Sequence, residues 1–84
     1  MPVIARFYGI VIKMFFASSE HNPPHLHAIY GEHVGAIDLQ TLEMMEGDLP
    51  GKALALVQEW MRTHQSELME IWKTQNFKTL PPLE

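Results

Sequence analysis

The sequence predicts an α+β domain in which an antiparallel sheet of two hairpins has one face covered by two C-terminal helices. The first half of the chain alternates β-branched and aromatic residues with turn residues, whereas residues 52–77 contain no glycine or proline and space their apolar side chains at helical intervals. Because the strands precede the helices instead of alternating with them, this order favours α+β over a parallel βαβ fold. We expect residues 1–78 to form a single domain and residues 79–84, with two prolines, to form a flexible tail.

The first hairpin is expected from strands at Val3 to Phe7 and Ile10 to Phe16, joined by the tight turn Tyr8-Gly9. A loop follows over residues 20–24, since neither Pro23 nor Pro24 has an N–H to donate to a sheet.

The second hairpin is expected from strands at His25 to Tyr30 and His33 to Leu39, joined by Gly31-Glu32. A glycine in the first position of a two-residue connection suits a type II′ turn. The sequence also allows a short fifth strand at Glu43 to Glu46.

The helical region is expected to start after Gly47 to Pro50, where an acidic residue and a proline are typical of a helix entry. A continuous helix over residues 52–77 would be about 39 Å long, whereas a compact chain of this size has a diameter of about 30 Å. We therefore expect a bend or break at Thr63 to Ser66, which divides the region into two helices. Trp60 and Trp72 are expected in the core.

Composition excludes several classes of protein. The net charge is −4 and there is no cysteine, so disulfide scaffolds, thiol catalysis and binding of nucleic acid by bulk positive charge are not expected. The longest apolar run is too short to span a bilayer and the first residues do not resemble a secretion signal, so we expect a cytoplasmic protein with no membrane attachment.

Strand alternation sorts the side chains onto two faces. With a two-residue turn at Gly31-Glu32, one face of the second hairpin carries His25 opposite Asp38 and His27 opposite Ala36. We call this the outer face, because the other face is apolar enough to lie under the helices. From the first hairpin, Val3, Ala5 and Phe7 are expected in the core. The side chains expected on the outer face as candidates for binding a partner are Ile4, Arg6, Val11, Lys13, Phe15, Ile29 and Val34.

A mixture of histidines, cations and apolar side chains is unusual for a merely solvated face. It favours a non-enzymatic binding or regulatory module that engages a protein partner or a second copy of itself. The region from His21 to His27 leaves other interpretations open. His21, His25, His27 and Asp38 are candidate ligands for a divalent metal such as zinc or nickel. In the simpler alternative, His21 caps the loop and His25 pairs with Asp38 as an ordinary cross-strand contact.

A third interpretation is histidine-based RNA cleavage, with one imidazole as base, the other as acid, and Arg6 or Lys13 as the stabilising cation. The net negative charge counts against it. The two remaining histidines, His33 and His64, are expected to be structural.

The segment His21-Asn22-Pro23-Pro24-His25-Leu26-His27-Ala28, together with Arg6-Phe7-Tyr8-Gly9-Ile10 and Glu59-Trp60, resembles the domain of unknown function 4160 family. The resemblance implies a small stand-alone bacterial protein and brings no established activity or cofactor. It also implies a neighbouring small gene, an arrangement similar to toxin–antitoxin or regulator pairs.

Overall fold

The computed structural model describes residues 3–15 and 23–83, which form a five-stranded antiparallel sheet and one helix. The strands follow one another in the sheet in the order in which they occur in the chain. The elements are β1 (Val3–Phe7), β2 (Ile10–Lys13), β3 (His25–Tyr30), β4 (His33–Asp38), β5 (Met44–Gly47) and α1 (Gly51–Thr74). The α+β class, both hairpins and the fifth strand are confirmed. The second strand ends at Lys13, earlier than predicted, and its expected last residue, Phe16, lies outside the described residues.

Backbone conformation in the turns explains the two hairpins. Tyr8 and Gly9 both have positive φ, at 51° and 79°, as a type I′ turn requires. In the second turn the positive φ falls on Gly31, at 62°, which fits the expected type II′ geometry. The β3–β4 register is the predicted one, with His25 opposite Asp38 and His27 opposite Ala36.

The prediction of two C-terminal helices is wrong, because residues 51–74 form one helix. The predicted bend is present at His64, whose φ of −113° and ψ of 18° are not helical. A straight helix of this length would be about 36 Å long, whereas the longest extent of the molecule is 30 Å. The bend keeps the second part of α1 on the sheet, and Gln65 beside it donates hydrogen bonds to the carbonyls of Leu39 and Gln40 at 2.7 and 3.1 Å.

The core lies between α1 and one face of the sheet. Trp60 is fully buried and its ring centre lies 5.5 Å from that of Phe7. The other buried helix residues are Ala53, Val57, Met61, Leu68 and Ile71, and the sheet contributes Ile10, Ile12, Leu26, Ala28 and Ile37.

The placement of Ile4 on the outer face is wrong, and a β-bulge is the reason. Val3 pairs with Lys13 and Ala5 pairs with Ile12, so Ile4 is an extra residue in β1. Its side chain is fully buried in the core, whereas Val3, expected in the core, lies opposite Lys13 of the outer face. The predicted alternation thus fails at Val3 and Ile4 and holds from Ala5 to Lys13.

The C-terminal segment makes contacts that the sequence does not predict. The backbone N–H of Leu80 donates to the carbonyl of Ile4 at 2.8 Å, and the indole N–H of Trp60 donates to the carbonyl of Pro81 at 2.7 Å. Leu80 is itself buried. Residues 80 and 81 are thus held against β1 and α1.

Candidate functional site

The outer face of the sheet is the face opposite α1, and it carries both histidines of β3. Neighbouring strands align Arg6, Val11, Ile29 and Val34 in one row. The next row contains Val3, Lys13, His27, Ala36 and Glu46. His25 and Asp38 follow at the end of the sheet where β3 begins.

His25 and His27 lie side by side on this face, as predicted. Their ring centres are 5.2 Å apart, with an angle of 69° between the ring planes. The ring of Phe15, just after β2, meets the His27 ring edge-on at 4.5 Å. On its other side the His25 ring contacts Trp72 of α1 at 5.4 Å. The two imidazoles are therefore held between two large aromatic side chains.

The diproline segment fixes the tautomer of His25. Its Nδ1 lies 2.8 Å from the carbonyl oxygen of Pro23. A carbonyl oxygen only accepts hydrogen bonds, so Nδ1 carries the proton in the neutral ring. The Nε2 atom then holds a lone pair, which is available to a proton, a hydrogen-bond donor or a metal ion.

His27 has a buried nitrogen without a partner. Within residues 3–15 and 23–83, its Nδ1 is buried and makes no hydrogen bond. Burial lowers the pKa of His27 below its ordinary value, the nearby His25 lowers this pKa further, and Glu46 acts in the opposite direction. His27 is therefore neutral at pH 7.

Asp38 faces His25 in the strand register, but its carboxylate closes a turn. Oδ1 accepts hydrogen bonds from the backbone N–H groups of Gln40 at 2.6 Å and Thr41 at 3.1 Å. Among the described residues no three histidine or carboxylate side chains converge as a metal-ligand group. His21, the fourth predicted ligand, lies outside the described residues. The structure thus brings together two of the predicted metal ligands, His25 and His27.

Charge is distributed unevenly across the outer face. Arg6 on β1 is exposed and Lys13 on β2 is half-buried, while Glu46 on β5 is exposed at the opposite edge. The centre consists of apolar side chains, of which Val34 is 44% exposed. The cations and the carboxylate therefore flank an apolar strip on opposite sides.

His33 and His64 each pair with a nearby carboxylate, as expected for structural histidines. His33 Nδ1 lies 3.1 Å from a carboxylate oxygen of Asp48, and His64 Nδ1 lies 2.7 Å from one of Glu67. Neither pair includes His25 or His27.

Two contributors to the site were not predicted. Glu46 reaches the outer face because β5 pairs with β4 in a register with a bulge, which the sequence does not reveal. Trp72, expected in the core, is half-buried and packs against the core, and its additional contact with His25 was not predicted.

A family model described as "Domain of unknown function (DUF4160)" matches residues 9–73. The match includes β2 to β5, the histidine–diproline segment and nearly all of α1. Neither a curated protein nor a solved structure shows significant similarity to the chain. In the part of the chain that the structure describes, no helix is long and apolar enough to cross a membrane.

Proposed function

We propose that this chain, which belongs to the DUF4160 family, is a non-enzymatic binding module that acts through the outer face of its sheet. The observation that carries the proposal is the apolar strip on the face opposite α1, where α1 contributes a contact from Trp72 to His25. A sheet with one face on the core usually presents polar side chains on its other face. An apolar strip there is typical of a surface that meets another protein.

The strip is continuous across three strands. Val11, Ile29 and Val34 are direct neighbours in register, and Ala36, which is buried, lies beside them in the next row. Val11 and Ile29 are half-buried by their neighbours, while Val34 is more exposed. Covering these side chains stabilises a complex by the hydrophobic effect.

A second copy of the chain is the occupant that fits the charges of this face. A two-fold axis parallel to the strands, lying between the two sheets directly above the outer face of β3, places β1 and β2 of one copy over β5 and β4 of the other. In this arrangement Lys13 lies over Ala36 of the other copy, next to its Glu46. The apolar strips then face each other, and opposite charges meet on both sides of them.

The size of the face makes this a weak dimer. Five strands about 4.8 Å apart, with residues about 3.3 Å apart along each strand, give a footprint of roughly 400 Å² per copy. Stable interfaces bury about 800 Å² per partner. We therefore expect association that depends on protein concentration and a monomer that remains folded when dilute.

Light scattering coupled to size-exclusion chromatography tests this in the presence of a chelator. The mass of the wild type should rise above the 9.7 kDa of one chain as concentration increases. Val34→Glu should remain a monomer, because it places a charge in the apolar strip. Ala55→Glu, on the exposed side of α1, is the matched control and should behave as the wild type.

Charge reversal distinguishes the two-fold arrangement from nonspecific association. Lys13→Glu and Glu46→Lys should each weaken the dimer, and the double variant should restore it. A wild type that stays monomeric at every concentration overturns the second copy as occupant. If it instead binds the product of the neighbouring gene, and Val34→Glu abolishes that binding, the outer face remains the binding surface and the partner is that protein.

A further inference from the structure

We infer that His25 and His27 form one half of a metal site that two copies of the chain complete, with four imidazoles around one divalent transition ion such as Zn²⁺, Ni²⁺ or Cu²⁺. This inference rests on the proposed face-to-face pairing. The inference names the ligand that the paired copies would bind, a divalent metal ion. It also explains why two histidines lie on a surface that is otherwise suited to apolar contact.

The donor atoms have the character that such ions require. A metal-binding imidazole typically donates its second ring N–H to a carbonyl or carboxylate, which fixes the tautomer and orients the ring. His25 does so through Nδ1 to the carbonyl of Pro23 at 2.8 Å, which leaves Nε2 as the free donor. No described residue engages Nδ1 of His27, which is buried. A turn of this ring is therefore required to bring Nδ1 to a shared ion.

The spacing of the two rings suits a shared ion. A histidine nitrogen lies about 2.0–2.1 Å from Zn²⁺, so two rings on one tetrahedral ion have centres roughly 5 Å apart. The ring centres of His25 and His27 are 5.2 Å apart. Imidazole donors without thiolate or a free carboxylate favour zinc, nickel or copper over magnesium or calcium.

One copy alone does not complete this site. Zinc sites contain three or four protein ligands, and among residues 3–15 and 23–83 no third side chain joins the pair. Asp38, the nearest carboxylate in the register, has one oxygen engaged by two backbone N–H groups.

The proposed two-fold axis supplies the missing ligands. Because it lies above β3, between the two sheets, it brings the same two histidines of the second copy opposite the first pair. Sheets packed face to face are about 10 Å apart, which leaves room for an imidazole from each side and an ion between them. The ion would strengthen a dimer whose protein interface is small.

The test uses protein purified without a histidine tag, stripped with chelator and then given Zn²⁺, Ni²⁺ or Cu²⁺ alone. Bound metal and molecular mass are measured on the same chromatographic peak. We expect one ion per two chains and at least a tenfold lower dimer dissociation constant with the preferred ion. His25→Ala and His27→Phe should lose both effects, and His33→Ala should retain both.

Three results overturn the inference: no retained ion, one ion per monomer without a change in mass, or unchanged metal binding in a folded His27→Phe variant. Circular dichroism establishes that each variant is folded. The proposed function is judged separately, by dimerisation in chelator and its loss in Val34→Glu. Failure of metal binding with that dimer intact removes the metal site alone.

Discussion

Replacing His27 with phenylalanine exchanges a buried ring nitrogen for carbon while keeping a flat ring that can still meet the edge of Phe15. In the described part of the chain, Nδ1 of His27 has lost its hydration and has no protein partner. An unpartnered buried polar group costs about 1–3 kcal/mol. Since the side chain as a whole is only half-buried, we take the lower end and expect His27→Phe to raise the free energy of unfolding by about 1 kcal/mol.

The pH dependence gives the same prediction a second readout. The pKa of His27 is lowered in the folded state, so the unfolded state binds more protons at pH values between the folded pKa and the ordinary value of 6.5. The stability of the wild type must therefore fall as the pH decreases from about 6.5 through the folded pKa of His27. His27→Phe removes this contribution, so its stability should fall less over that window.

Thermal and urea unfolding of chelator-treated protein measure both effects. For a domain of this size, 1 kcal/mol corresponds to a change in Tm of about 4–8 °C. His33→Ala removes an exposed pair with Asp48 and should change stability by less than about 0.5 kcal/mol. A His27→Phe variant destabilised by 1 kcal/mol or more would refute the view that Nδ1 is unpartnered. If the variant and the wild type lost the same stability between pH 6.5 and lower pH, the lowered pKa of His27 would be refuted.

Three further substitutions test the fold that holds the site. Gly47→Ala should lower the free energy of unfolding by at least about 2 kcal/mol, because the φ of residue 47 is +94° and a Cβ there would overlap the carbonyl oxygen of Val34. Urea unfolding measures this change, and an unchanged stability would contradict the β4–β5 register. Trp60→Phe should lower the free energy of unfolding by about 2 kcal/mol, because the ring is smaller and the hydrogen bond to the carbonyl of Pro81 is lost. Hydrogen exchange at the amide of residue 80 should also become faster, and an unchanged exchange rate would argue against an anchored C-terminal segment. Ile4→Ala should cost about 3 kcal/mol, because the bulge buries this side chain, whereas an outward-facing Ile4 would make the change nearly neutral.

Local sequence signals were sufficient for most of the sheet. Tyr8-Gly9 and Gly31-Glu32 specify two-residue turns, and such turns fix the register and hence the face of each strand residue up to the first bulge. That is why His25 and His27 could be placed together before any coordinates were considered. Apolar spacing likewise located α1, and the size of the molecule required its bend.

The errors arise where a tertiary contact outweighs the local pattern. Strand alternation predicts that Ile4 points to the outer face, but the bulge places its side chain in the core. The backbone N–H of Leu80 donates a hydrogen bond to the Ile4 carbonyl at the same point. The residues around His64 predict a break between two helices. The structure has one bent helix instead, because apolar residues on both sides of His64 pack on the same sheet. Asp38 reads as a partner for His25, but nearby backbone N–H groups compete for its carboxylate.

The most direct test of the central claim, that the outer face binds a second copy of the chain, is to follow backbone amide NMR shifts of chelator-treated protein over a concentration series. The account predicts that amides of Val11, Ile29 and Val34 shift together as the protein is diluted, while those of Ala55 and Arg62 on the exposed side of α1 do not move. Concentration-dependent shifts confined to α1, or none at any residue up to millimolar protein, would contradict it.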